Sequence, residues 1–242
     1  MATERRGCVL QFAKAPVPGR VKTRLQPALG PEGAALLAEH LLRDVARCLA
    51  AVPAGWDSVL CVDDPGHPCF RHLVQGKGPD PLPQGDGSLG ERMRRACVRM
   101  LGDYPAVVLV GSDCPGYDAG YLGMACRLLE EGTPAVLGPA IDGGYVLIGL
   151  RAFPEGLMEG IAWGGADVAR DQRARFLACG LRWSELPPRA DVDRAGDLWM
   201  LDDGPWLRSG ERDGAVIGLV AGAPGAVVDA RSLVSLAAQE SQ

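Results

Sequence analysis

Histidine is scarce in this chain. His40, His67 and His72 are the only three, and none stands beside a nucleophile signature such as GxSxG, which argues against a triad hydrolase. The HExxH pattern is absent. The eight cysteines (Cys8, Cys48, Cys61, Cys69, Cys97, Cys114, Cys126, Cys179) include no CxxC pair and no metal-ligand spacing, which removes the usual zinc sites. In a reducing compartment such residues are mostly small members of a core. Neither a GxxxxGK[ST] loop nor a GxGxxG fingerprint occurs, so a kinase, P-loop NTPase or dehydrogenase reading is weakened.

Net positive charge is missing as well. A formal net charge of −5 argues against nucleic acid or an anionic membrane as a partner, because both are held by basic patches. The longest apolar stretch, roughly 215–228, is broken by Gly222, Pro224 and Gly225. It falls short of the about 20 residues that span a bilayer. The N-terminus, MATERRGCVLQF, carries no long apolar region after its two arginines, which predicts no secretory signal and a cytoplasmic protein.

What is present is an ordinary globular composition, 47% hydrophobic over 242 residues, with 33 glycines and 19 prolines that raise the share of loops. Cys8 to Phe12 reads as a short buried strand. Pro31 then opens a helix with Ala34, Leu37, Leu41, Val45, Cys48 and Leu49 along one face. Ser58 to Val62 reads as a strand and Leu89 to Leu101 as a helix. The run Ala106 to Val110 is continuously apolar and β-branched, as suits a central parallel strand. A helix over 118–131, strands over 135–137 and 145–150, a helix over 167–178 and a final helix from Arg194 complete the order, with one antiparallel insertion. This alternation predicts a single-domain α/β fold of three αβα layers around a mostly parallel sheet. The expected boundaries are a domain over 1–207 and an extension over 208–242. Ligands of such sheets bind beyond the carboxyl ends of the strands.

The loop leaving the first strand, FAKAPVPGRVKTRL, places Lys14, Arg20, Lys22 and Arg24 at one strand exit of an acidic protein. Arginine holds phosphate oxygens by paired hydrogen bonds and lysine as a point charge, and Gly19 lets backbone approach closely. A phosphate cradle is the functional reading, and a solvated basic turn the plain one. Asp113 follows the AVVLVGS run where the chain turns, and is the first candidate ligand for Mg²⁺ or Mn²⁺, which prefer oxygen donors. Asp191 and Asp193 offer further carboxylates, although Asp193 serves equally as the N-cap of the next helix. Asp142, Gly143, Gly144 and Tyr145 read as a tight turn or as an acceptor-side loop. Ser88 and Glu91 match a capping box, and Gln84, in the glycine-rich loop before it, is a weaker candidate for reading a base edge.

Five ordered segments, FAKAPVPGRVKTRL, QGDGSLGERM, VVLVGSDCPG, LGPAIDGGYVLIGL and ADVDRAGDL, resemble the nucleotide-diphospho-sugar transferases of glycosyltransferase-A fold. The resemblance runs from about Cys8 to Leu201 and is strongest to the selenodomain-associated or arsenosugar-type branch, with molybdenum-cofactor and phospholactate guanylyltransferases as relatives. It implies a nucleotide held by Lys14, Gly19, Arg20, Lys22, Arg24 and Gln84, and Mg²⁺ or Mn²⁺ held by Asp113 with Asp191 or Asp193. It also implies an acceptor near Asp142–Tyr145, with Asp113, Asp142 and Lys22 as the catalytic set. The expected activity is metal-dependent sugar transfer from a nucleotide-sugar to a small-molecule acceptor. Nucleotidyl transfer from a nucleoside triphosphate and a catalytically inactive nucleotide-binding protein are the alternatives. Nucleotidyltransferases of this superfamily generally open with an AGGxGxRMG-type loop, which this chain lacks. WGGADV and Arg194 depart from the family pattern.

Overall fold

A computed structural model describes residues 5–74, 80–115 and 117–201. The expected extension over 208–242 lies outside them. The chain forms two compact units, one made of the residues up to Ala15 with Arg43–Asp191, the other of Pro16–Leu42 with the residues from Val192 on.

The first unit is built on one seven-stranded sheet. Its strands are β1 (Gly7–Ala13), β2 (Trp56–Val62), β3 (Leu82–Pro83), β4 (Val107–Val110), β5 (Ala135–Pro139), β6 (Tyr145–Leu150) and β7 (Trp183–Glu185), in the order β3-β2-β1-β4-β6-β5-β7. Only β6 runs against its neighbours, pairing antiparallel with both β4 and β5. Every other pairing is parallel.

The helices follow the strands: α1 (Gln26–Leu49), α2 (Pro68–Val74), α3 (Leu89–Leu101), α4 (Ala119–Glu130) and α5 (Val168–Ala178). The side-chain alternation of β4 splits the core into two layers. Val108 and Val110 join α4 (Leu122, Ala125, Leu129) on one face. Val107 and Leu109 join α3 (Met93, Ala96, Cys97) and Phe176 of α5 on the other. All four strand residues are buried, which is why the run is apolar without alternation. Removing such area from water is worth about 25 cal/mol per Å².

Helix α3 begins where the capping box places it: Ser88 accepts from Glu91 N, and Glu91 answers to the Ser88 backbone. Asp118 caps α4 through Tyr121 N at 2.7 Å. Helix α1 starts earlier than Pro31, at Gln26, and kinks at Gly30 (φ 70, ψ 167), so that Pro31 restarts the helix after the break. In the second unit, Leu25, Ala34, Leu37, Leu41 and Val192 form a small core of their own. The element after Arg194 is a 3-10 helix, Ala195–Leu201, rather than an α-helix. Among the described residues no helix is long and apolar enough to cross a membrane.

Candidate functional site at the sheet's carboxyl edge

Strand order reverses between β1 and β4, the switch point at which open sheets of this kind bind ligands. Within the first unit, Lys14 leaves β1, Asp63 leaves β2, Gln84 leaves β3, Asp113 leaves β4 and Asp142 leaves β5. Because β6 is antiparallel, its first residue, Tyr145, comes to the same edge.

The exit of β1 is pinned on both sides of Lys14. Gln84 donates its amide to Ala13 O (2.8 Å) and Cys61 O (3.1 Å), and Arg92 Nη1 donates to Gln84 Oε1 at 3.0 Å. Asp63 Oδ1 accepts from Ala15 N at 2.7 Å. Ser112 Oγ accepts from Gln11 Nε2 and donates to Phe12 O, both at 3.3 Å. Gln84 is therefore buried and committed to holding β1 against β2, with Arg92 choosing which way the amide faces. Lys14 itself is exposed between these anchors. Asp63, Ser112 and Arg92 were not singled out from sequence, since none belongs to a recognisable pattern.

Asp113 is exposed just beyond β4. The chain that follows is held down at Cys114 and Tyr117, both buried, and Tyr117 donates its hydroxyl to Val146 O. The Asp142 turn is closed by its own side chain, Oδ1 accepting from Gly144 N at 2.9 Å. Gly143 has φ 94, and a Cβ there would lie 1.8 Å from Ala166 O, so only glycine fits. Its carbonyl accepts from Ala169 N at 2.9 Å, which draws the WGGADV segment against the turn. Tyr145 meets Trp163 edge to face, 6.2 Å between ring centroids, and donates to Gln172 Oε1 at 3.4 Å. Burial holds the Tyr145 hydroxyl far above the ordinary phenol range, so it does not titrate near neutral pH. Burial likewise pushes Tyr121 up to about 12.

In the second unit the basic loop is bound to the DVD segment. Lys22 Nζ donates to Val192 O at 2.5 Å, and Arg24 Nη1 pairs with Asp193 Oδ2 at 2.5 Å. Lys22 sits at φ 46, ψ 41, the sole non-glycine residue of positive φ among those described, a strained conformation that persists only where the surroundings fix it. Gly19 has φ 80 and Arg20 N donates to Val17 O at 3.0 Å, forming the turn between them. At the start of the following 3-10 helix, Asp197 Oδ2 accepts from Asp193 N (3.0 Å) and Arg194 N (2.7 Å).

The model of a bacterial family described as "Uncharacterized protein conserved in bacteria (DUF2064)" matches residues 45–165. A protein of Desulfovibrio desulfuricans G20, called a "putative nucleotide-diphospho-sugar transferase", is 35% identical, with a TM-score of 0.74 and coverage of 86% of this chain and 91% of its own. The chain belongs to the DUF2064 family. Two further structures share the fold alone at 12% identity each. One is a cytidylyltransferase from Leptospira borgpetersenii (TM-score 0.56, covering 93% of this chain and 99% of that one). The other is glucosyl-3-phosphoglycerate synthase from Mycobacterium tuberculosis with Mg²⁺ and uridine diphosphate (TM-score 0.51, 93% and 81%). No curated protein matches. This DUF2064 chain thus has the mixed α/β fold that its resemblance implies, and the structural relatives named here are transferases of sugar or nucleotidyl groups.

Proposed function

We propose that the protein is a metal-dependent glycosyltransferase that takes a nucleotide-diphospho-sugar as donor and a small molecule as acceptor. The observation that supports this most is that Lys14, Asp113 and the Asp142 turn leave the sheet at one edge, with Lys14 and Asp113 flanking the switch point between β1 and β4. A lysine and a carboxylate on one rim suit a ligand that is itself a phosphate–cation pair. The absence of the AGGxGxRMG-type loop favours sugar transfer over nucleotidyl transfer.

The donor set suits Mg²⁺ or Mn²⁺. Among the described residues no three His, Cys, Asp or Glu side chains converge into a preformed cage. Mg²⁺ in nucleotide sites takes one or two carboxylates and completes its shell with phosphate oxygens and water. Asp113 with Asp191 would hold it, and the cation would neutralise charge building on a departing nucleoside diphosphate. Lys14 would bind the same oxygens from the β1 exit. For Gly19, Arg20, Lys22 and Arg24 the role in phosphate binding rests on charge and on the backbone freedom of Gly19. Asp142 would orient or deprotonate the acceptor hydroxyl, with Gly143, Gly144 and Tyr145 shaping its place. Gln84 would act through β1 rather than on a base.

Calorimetry with a panel of nucleoside diphosphates, with and without Mn²⁺, tests the reading. One nucleotide should bind more tightly with the metal, and Asp113→Asn should lose that gain while keeping the metal-free affinity. If no nucleotide gains from Mn²⁺ and Asp113→Asn behaves as the parent, the proposal fails. Release of free nucleoside diphosphate from a nucleotide-sugar pool supports sugar transfer. Pyrophosphate release from a nucleoside triphosphate would indicate nucleotidyl transfer instead, and binding without either product an inactive relative.

A further inference from the structure

Arg189 belongs to none of the segments discussed so far, yet it touches the roots of three of them, all in the first unit. Its backbone is bridged to Ala140: Arg189 N donates to Pro139 O at 3.0 Å, and Ile141 N donates to Arg189 O at 2.9 Å. Those bonds extend the β5–β7 side of the sheet to the residue before Asp142. Two residues further on stands Asp191.

The side chain of Arg189 turns the other way, towards the start of α4. Its guanidinium carbon lies 4.6 Å from the centroid of the Tyr121 ring, within reach of a cation–π contact. Nη2 donates to Asp118 Oδ2 at 3.3 Å. Asp118 uses its other oxygen, Oδ1, to cap α4 through Tyr121 N. The planar head group is therefore held on its face by an aromatic ring and on its edge by the residue that ends the Asp113 loop. The Nε–H is enclosed with no partner among the described residues, a cost that a lysine or methionine at this place would avoid.

We propose that Arg189 is a positioning residue that fixes the loop presenting Asp113 relative to the segment presenting Asp191 and the turn presenting Asp142. Resting on the function proposed above, it holds the acidic rim in register without itself touching the nucleotide. Lysine cannot replace it, because an ammonium group offers neither the flat face for Tyr121 nor a guanidinium edge for Asp118.

Two measurements on the full-length chain decide this. Amide hydrogen exchange in the ligand-free protein should quicken roughly tenfold at Cys114, Tyr117 and Asp118 in Arg189→Met, while Val107–Val110 stay as protected as in the parent. Unchanged exchange at those three amides, or a uniform increase across the sheet, would overturn the proposal. The second measurement is Mn²⁺-dependent nucleotide affinity by calorimetry. Arg189→Met and Asp118→Asn, which keeps the capping oxygen, should each weaken it about tenfold and leave metal-free binding unchanged, with the double variant no worse than either single one. Additive losses would overturn the brace. Should the parent gain nothing from Mn²⁺, the proposed function falls, and the brace is judged by the exchange data alone.

Discussion

Gln84 satisfies two carbonyls of neighbouring strands with one amide, and its oxygen is taken by Arg92. Gln84→Glu removes both donors and turns a carboxylate towards Ala13 O and Cys61 O. Stability should fall by about 2–4 kcal/mol, from two buried acceptors left unpaired, seen as a lower urea midpoint. Gly143→Ala is expected to be at least as harmful, by more than about 2 kcal/mol, because it adds left-handed strain to a collision with Ala166 O. Burial pushes the thiols of Cys8, Cys61 and Cys97 up to about 12. These three should resist a thiol reagent such as DTNB at pH 8 and react only on unfolding. At this scale the sequence was partly legible. The polar character of the Asp142–Gly143–Gly144 turn and the Ser88–Glu91 box needs only neighbours in the chain. Asp63 and Arg189 gain their roles from residues 48 and 71 positions away, at Ala15 and Asp118, and no local pattern announces them.

Among the elements, the long ones were readable because their pattern is their cause. The helical apolar spacing of α3 and the unbroken apolar run of β4 report which faces are buried. Strands β3 and β7, of two and three residues, and the short helix α2 carry too little sequence to reveal themselves; β3 and β7 exist because β2 and β5 offer them an edge to pair with. One link from α5 to β7 is the pair Arg173–Glu185, at 2.6 Å. Hydrogen bonds from Arg173, then from Trp183, hold the Glu185 carboxyl below the ordinary carboxylate range. A depressed folded-state pKa means that the contribution is present above the unfolded pKa and fades as pH falls through the folded one. Glu185→Gln should therefore lower the thermal midpoint at pH 7, and the difference from the parent should vanish at acid pH once the carboxyl is protonated. Both side chains are about a third exposed, so the shift at pH 7 will be small.

For the whole molecule, alternation of strand and helix was enough to foresee a mostly parallel sheet with one reversed strand. It could not say which strands are neighbours, because β4 reaches β1 past two strands that precede it in the chain. A nucleoside diphosphate with Mn²⁺ at a hundredfold excess over its dissociation constant should stabilise the chain by about 2.7 kcal/mol, read as a raised thermal midpoint. Asp113→Asn should abolish the part of that rise that depends on the metal. The reversed strand has a further consequence. Since β6 folds straight back on β5, the turn between them faces the proposed donor-binding edge, yet no crossover helix hangs from it. Its exposed outer side chain, Ile141, can be exchanged while Asp142 closes the turn and Gly143 anchors its base, so this position can vary between relatives at little expense to the scaffold. Grafting that short turn from one family member to another is the economical test of the acceptor role proposed for it.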